Sequence, residues 1–160
     1  MPAQVTAYPL DDISADLVAI LKTIKDPADN TQYIFQNPDD ATKYYIYDYS
    51  TNQFDGTPAV VVFPSGGSAM YDTVVENLRT YEFFVGIAVD LQTRTKSQAY
   101  KLLRQLTDAV ITAIDKTFDL NGGSDFVLAI PVAWAAGEST MGEIVYAPLK
   151  ISVQKTIPLV

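Results

Sequence analysis

Between residues 81 and 118 the apolar and polar positions follow two periods in succession. Tyr81, Phe83, Val85, Ile87 and Val89 alternate with Glu82, Phe84, Gly86, Ala88 and Asp90, the period-two pattern of a strand. Gln92, Thr93, Arg94, Thr95 and Lys96 then form a polar loop. Ala99, Leu102, Leu103, Leu106, Ala109, Val110, Ala113, Ile114 and Phe118 follow at three- and four-residue steps. That spacing predicts one apolar stripe on a helix of about six turns. Lys101, Arg104, Gln105, Asp108 and Lys116 fall outside the stripe on a solvated face. A strand therefore leads through a short loop into a long helix that folds back over a sheet.

The flanking segments supply the rest of that sheet. Ile13, Leu17, Ile20, Leu21 and Ile24 predict a first helix, with Asp11 or Asp12 as N-cap and an end near Lys25, because Asp26 precedes Pro27. It is expected beside the long helix. Residues 26–40 are polar apart from Tyr33, Ile34 and Phe35, room for one brief strand. Residues 44–49 read as a strand with Tyr45, Tyr47 and Tyr49 on one face. Residues 59–63 read as a second strand, ended by Pro64 and paired with the first as an antiparallel hairpin. Residues 65–72, with Gly66 and Gly67, then form a projecting loop that includes Tyr71 and Asp72.

After the long helix, Asn121, Gly122 and Gly123 signal a stop near Leu120. Residues 126–134 alternate as a strand in which Pro131 favours an edge or a bulge. A turn over 135–142 leads to a last strand over 145–153, where Pro148 argues for an edge or bulge near its start. Residues 1–10 and 156–160 read as arms. The expected fold is one α+β domain over residues 1–160, a mostly antiparallel sheet of four to five strands against one long and one shorter helix. Its order is α-β-β-β-α-β-β.

Composition narrows the chemistry. The 160 residues include no cysteine and no histidine, which removes disulfides, thiolate nucleophiles and the commonest metal ligands. Only carboxylates, lysines and tyrosines are left as acids and bases, so an enzyme is not expected. Neither a cofactor nor a metal is expected. A net charge of −8 and a pI near 4.3 disfavour binding to nucleic-acid phosphate. No apolar run approaches the about 20 residues of a membrane span, and the N-terminus lacks signal-peptide regions, so an intracellular product is expected.

Candidate motifs fail on inspection. Gly66, Gly67, Ser68 and Ala69 begin like a nucleophile elbow, but Met70 takes the final glycine position and no histidine can act as base. Ser152 and Lys155 match a serine–lysine spacing, yet in a strand a three-residue step puts them on opposite faces. The glycine-rich loop lacks the lysine of a phosphate loop. Asp48, Ser50 and Asn52 lack the glycine and glutamate of a calcium loop, and so do Asp119, Asn121 and Gly123. The adjacent carboxylates Asp11 and Asp12, and Asp39 and Asp40, read as solvated surface. Tyr45, Tyr47 and Tyr49 serve either sheet packing or a partner interface, where tyrosine is enriched. Arg79 pairs with Glu76 or Glu82, or crosses a subunit boundary.

The order of elements, with Pro58 and AVVVF after it, YDTVVENLRTYEFFVGIAVD over 71–90, the helix over 99–114 and the end strand over 146–153, resembles the tail terminator (tail completion) proteins of long-tailed bacteriophages. Asn77, Arg79 and Tyr81 match the family's Asn-x-Arg-x-Tyr-like entry into a strand. The resemblance covers residues 12–155 as pattern and order. It implies a structural virion protein, assembled in the host cytoplasm, that forms a ring of six copies on the head-proximal end of the tail tube. Such a ring ends tube polymerisation and offers a surface to the head completion or connector protein. DNA would pass through without specific recognition, which an acidic lumen favours. On this reading Tyr45, Tyr47, Tyr49, Tyr71, Asp72 and Arg79 are the candidate subunit or partner interface. A head completion protein, a tail tube subunit, or a monomeric module with a ligand pocket between long helix and sheet are the alternatives.

Overall fold

A computed structural model describes residues 8–71, 76–117, 127–134, 139–141 and 144–158, with backbone alone at 70, 71, 76, 127–134, 139–141 and 156–158. Residues 1–7 of the expected arm, Asp72, the helix stop at 121–123 and the turn over 135–138 lie outside the described residues.

Two helices lie against a mostly antiparallel sheet. The first helix, α1 (Pro9–Leu21), starts earlier than its expected aspartate caps: Pro9 stands at the helix start, where its missing N–H costs nothing. Asp11 and Asp12 fall in the first turn instead, favourably placed for the helix dipole. The helix ends a turn short of Lys25, where Thr23 donates from both backbone and hydroxyl to Ile20 O. Lys25 then forms an isolated antiparallel bridge with Tyr33.

Two short strands, β1 (Gln36–Asn37) and β2 (Asp40–Tyr44), pair apart from the main sheet. That sheet contains β3 (Ile46–Tyr47), β4 (Ala59–Tyr71), β5 (Glu76–Asp90), β6 (Val127–Trp134), β7 (Ser139–Met141) and β8 (Ile144–Pro158). Its order is β3-β4-β5-β8-β6, with β7 also on β8. All its pairs are antiparallel except the first. Ile46 and Tyr47 run parallel to Val60 and Val61, so the expected antiparallel hairpin is not formed. The chain breaks at Tyr45 and uses residues 48–58 to return in the same direction.

The expected loop over 65–72 is also corrected. β4 does not stop at Pro64; it absorbs the proline in a register shift between Pro64 and Gly66 and pairs on to Tyr71 opposite Asn77. β5 correspondingly begins at Glu76 rather than Tyr81. β8 runs the full length of β5, from Ile144 opposite Asp90 to Pro158 opposite Glu76, so residues 156–158 are strand rather than tail. Pro148 is therefore interior to the sheet. It stands opposite Gly86 on one side, while on the other β7 pairs only as far as Tyr146 and β6 begins at Leu149. A residue without an N–H falls at that break in the ladder. In β6 the expected bulge is present, between Pro131 and Ala133.

The second helix, α2 (Lys96–Lys116), opens with a reciprocal capping box: Gln98 N donates to Thr95 Oγ1, and Thr95 N donates to Gln98 Oε1. It ends at Lys116, about one turn before the expected Leu120. Ala99, Leu103, Leu106, Val110 and Ile114 are buried against Phe83, Val85, Ile87 and Val89 of β5 and Leu149, Ile151 and Val153 of β8. Ile13, Leu17, Ile20 and Leu21 of α1 join the same core beside α2 and β4. Each such side chain taken from water stabilises the fold by about 1.5 to 3 kcal/mol. Both described helices lie on this inner face.

Candidate functional site

Three regions gather the polar and aromatic side chains that could serve chemistry or recognition, and each grows from a different strand feature. The first is the outer face of the sheet. Phe63 on β4 is directly opposite Phe84 on β5, with ring centroids 5.0 Å apart. Phe84 in turn stacks on Tyr146 of β8 at 6.1 Å. Three half-buried rings thus form a row of cross-strand contacts over three strands, on the face opposite the two described helices. Gly86 lies under Tyr146, whose ring and hydroxyl occupy the space a side chain there would take. Burial pushes the Tyr146 phenol up to about 12, so it stays a neutral donor. Beside the row, Lys150 Nζ pairs with Glu82 Oε2 at 3.1 Å on a partly exposed rim. Apolar centre and charged rim are how interfaces are commonly built.

The second region is the inner face beyond the helices. Alternation puts Asn77, Arg79 and Tyr81 on one side of β5, and their side chains meet there. Arg79 Nε donates to Asn77 Oδ1 at 3.2 Å, and its Nη1 donates to the Tyr81 hydroxyl at 3.3 Å. Of the pairings considered for Arg79, that with Glu82 is not made, because a three-residue step along a strand puts the two side chains on opposite faces; Glu82 serves Lys150 instead, and the Glu76 side chain lies outside the described ones. Lys155, in register with Arg79, shares this face and is only 6% exposed. Across from it on α1, burial and then the charge of Asp12 raise the Asp16 carboxyl, and Lys155 lowers it in partial compensation.

The third region is the loop between β5 and α2. Asp90 accepts from the Thr57 hydroxyl, from the backbone of Gln92 and Thr93, from the Thr93 hydroxyl and from Arg94 Nη1 at 2.8 Å. Partial burial opposes its ionisation, but the Thr57 and Thr93 hydrogen bonds and the Arg94 charge outweigh it and hold the carboxyl at about 2. With Phe54, Asp55, Gly56 and Ile144 these residues line a cleft of about 540 Å³ at the end of the sheet. The Asp90 oxygens are already saturated, so the carboxylate acts as a loop clasp rather than a base. The alternative of a ligand-binding module placed a pocket between α2 and the sheet, where α2, β5 and β8 pack their core side chains together.

The tyrosine strand divides. Tyr45 lies half-buried with its ring over Gly56. Tyr47 contacts Tyr49 edge-on at 5.8 Å and Phe54 at 5.6 Å, and its hydroxyl accepts from Asp55 N. Tyr45 and Tyr47 are thus engaged in local packing, and Tyr49, 56% exposed, is the one of the three left facing solvent. Tyr71 ends β4 opposite Asn77, close to the Arg79 row in the backbone; Asp72 lies outside the described residues. The aspartates of 26–40 work in turns: Asp29 receives the Thr31 hydroxyl and N–H, Asp40 those of Thr42, and both carboxyls are lowered by those bonds. Among the described residues no three acidic side chains converge to hold a metal, and no helix is long and apolar enough to cross a membrane.

Sequence reasoning passed over the Phe63, Phe84 and Tyr146 row. The signal was present, since Phe84, Gly86 and Ala88 make both faces of that strand apolar. No protein-family model matches the chain, and no curated protein matches its sequence.

Proposed function

We propose that this chain is a structural virion subunit of the tail-terminator kind, assembling as a ring of six on the head-proximal end of a phage tail tube. It ends tube growth and presents a surface to the head completion protein. The observation that carries this reading is the one-sided sheet: helices bury its inner face, while its outer face offers the Phe63, Phe84 and Tyr146 row inside a polar rim. The Asn77, Arg79 and Tyr81 row supports it, because these residues of the family-like entry contact one another.

Native mass spectrometry over a concentration series, followed by negative-stain imaging, tests the ring. Incubation with purified tail tubes tests the cap, and separates a terminator from a tube subunit, which would lengthen tubes instead. A chain that stays monomeric and leaves tube ends bare overturns the reading. A second reading, a monomeric ligand-binding module, draws on the cleft beside Asp90 and Arg94. It ranks behind because the polar groups there are already bonded to one another.

A further inference from the structure

The sheet has two edges, and among the described residues both lack a further strand partner over much the same stretch. On one side β3 covers β4 only at Val60 and Val61, so residues 64–71 pair with β5 alone among the described residues. On the other side β6 pairs with β8 alone among them. A strand edge with free N–H and C=O groups is a template for another strand, and proteins commonly guard it with charges, proline or bulges. Here neither PSGGSAMY nor VLAIPVAW contains a charged residue. Each has one register shift, at Pro64 and at Pro131, and is otherwise unguarded. Residues 64–69 are exposed throughout.

The edges also match each other. Registers followed across the sheet put Gly67, Tyr81, Val153 and Ala129 in one row, and Ala69, Arg79, Lys155 and Val127 in another two residues along. Residues 64–69 of β4 and 127–131 of β6 therefore stand at the same height on opposite sides. Chain direction alternates through β4, β5, β8 and β6, because each neighbouring pair is antiparallel. A second copy whose β4 lies beside β6 would continue that alternation, with the ladder geometry of the rest of the sheet.

We propose that residues 64–71 of one copy pair antiparallel with β6 of the next, so that the sheet runs on from subunit to subunit. One chain supplies both halves of the contact, equal in height and opposed in direction, which makes a second copy its partner. The contact is head-to-tail, since unlike edges meet: it closes as a ring if the angle between copies divides a full turn, and otherwise grows as a filament. This rests on the reading of the chain as a self-assembling subunit and adds the surface that joins it.

The absence of cysteine gives a clean test. Ser68→Cys is combined in turn with Leu128→Cys, Ala129→Cys and Ile130→Cys, each checked by circular dichroism, then oxidised and run without reductant. Three strand spacings, roughly 14 Å, separate the two edges within one chain, beyond the reach of a disulfide, so every bond formed joins two copies. The expected result is a ladder of dimer, trimer and higher bands in at least one double variant and in neither parent single variant. A dimer from Ser68→Cys alone would mean like edges meet, and overturns the proposal. Rings with no cross-link in any double variant overturn the edge contact and leave the ring reading standing. A ladder formed by filaments supports the edge contact and removes the ring. Monomers without cross-links overturn both.

Discussion

Tyr146 on β8 lies across Gly86 on β5, filling the volume that any side chain at position 86 would need. The glycine lets the ring lie flat enough to stack on Phe84, and so completes the aromatic row of the outer face. Gly86→Ala would ordinarily favour a strand slightly, but here the overlap dominates. Its expected cost is about 1 to 3 kcal/mol in urea denaturation. In a Tyr146→Ala background the same change should cost much less, because the two sites touch. Equal costs in both backgrounds would show that the ring does not impose the glycine.

Asp90 ties the end of β5 to Thr57 and to the start of α2, and the loss of that clasp should be pH-dependent. Its carboxyl is held at about 2 in the folded chain, below an unfolded value of about 4. A depressed value stabilises the fold above the unfolded pKa, and this contribution is lost as pH falls from about 4 towards 2. Asp90→Asn should cost about 1 to 3 kcal/mol at pH 7, from lost charge-assisted bonds. The gap from wild type should narrow across that acidic window. Urea midpoints from pH 2 to 7 check it, and a constant gap would refute the assignment.

Phe35 and Tyr33 stand two residues apart in the polar stretch and have opposite fates. Phe35 is 1% exposed within the core, whereas Tyr33 is 37% exposed with Lys25 Nζ 3.6 Å from its ring centre. Phe35→Ala should cost about 3 to 5 kcal/mol through the cavity it leaves. Tyr33→Ala should cost about 1 kcal/mol, the scale of an exposed cation–π contact. Thermal melts of the two variants would separate them, and similar losses would contradict the burial of Phe35.

Arg79 offers a direct probe of assembly. Its guanidinium contacts the Asn77 side chain and the Tyr81 hydroxyl, and no carboxylate whose side chain is described is paired with it. Arg79→Glu reverses a charge beside Lys155 and should weaken assembly at least tenfold in concentration, about 1.4 kcal/mol per tenfold, with circular dichroism unchanged. Unchanged ring formation would remove Arg79 from the interface.

Particular elements show what the sequence revealed. β5, α2 and β8 were legible because each turns one row of large apolar side chains into the core, and that row imposes its period on the residues that form it. Pro131 announced its bulge because a missing N–H is a local fact. The tyrosines of 44–49 were legible only in part: Tyr44 ends β2 and Tyr47 stands on β3, but the chain breaks between them, and Tyr45 turns away to Gly56.

By itself the sequence determined two helices against a mostly antiparallel main sheet, the inward faces of its long strand and helix, and the absence of thiol and imidazole chemistry. Local patterning suffices for these, since they depend on which residues avoid water. Only the tertiary structure decided that residues 64–71 are strand, that Ile46 and Tyr47 run parallel to β4, and that Pro148 lies inside the sheet. It also joined Phe63, Phe84 and Tyr146 into one surface. Each of these depends on partners distant in the chain: pairing with β5 holds a proline- and glycine-rich segment extended that reads alone as a turn.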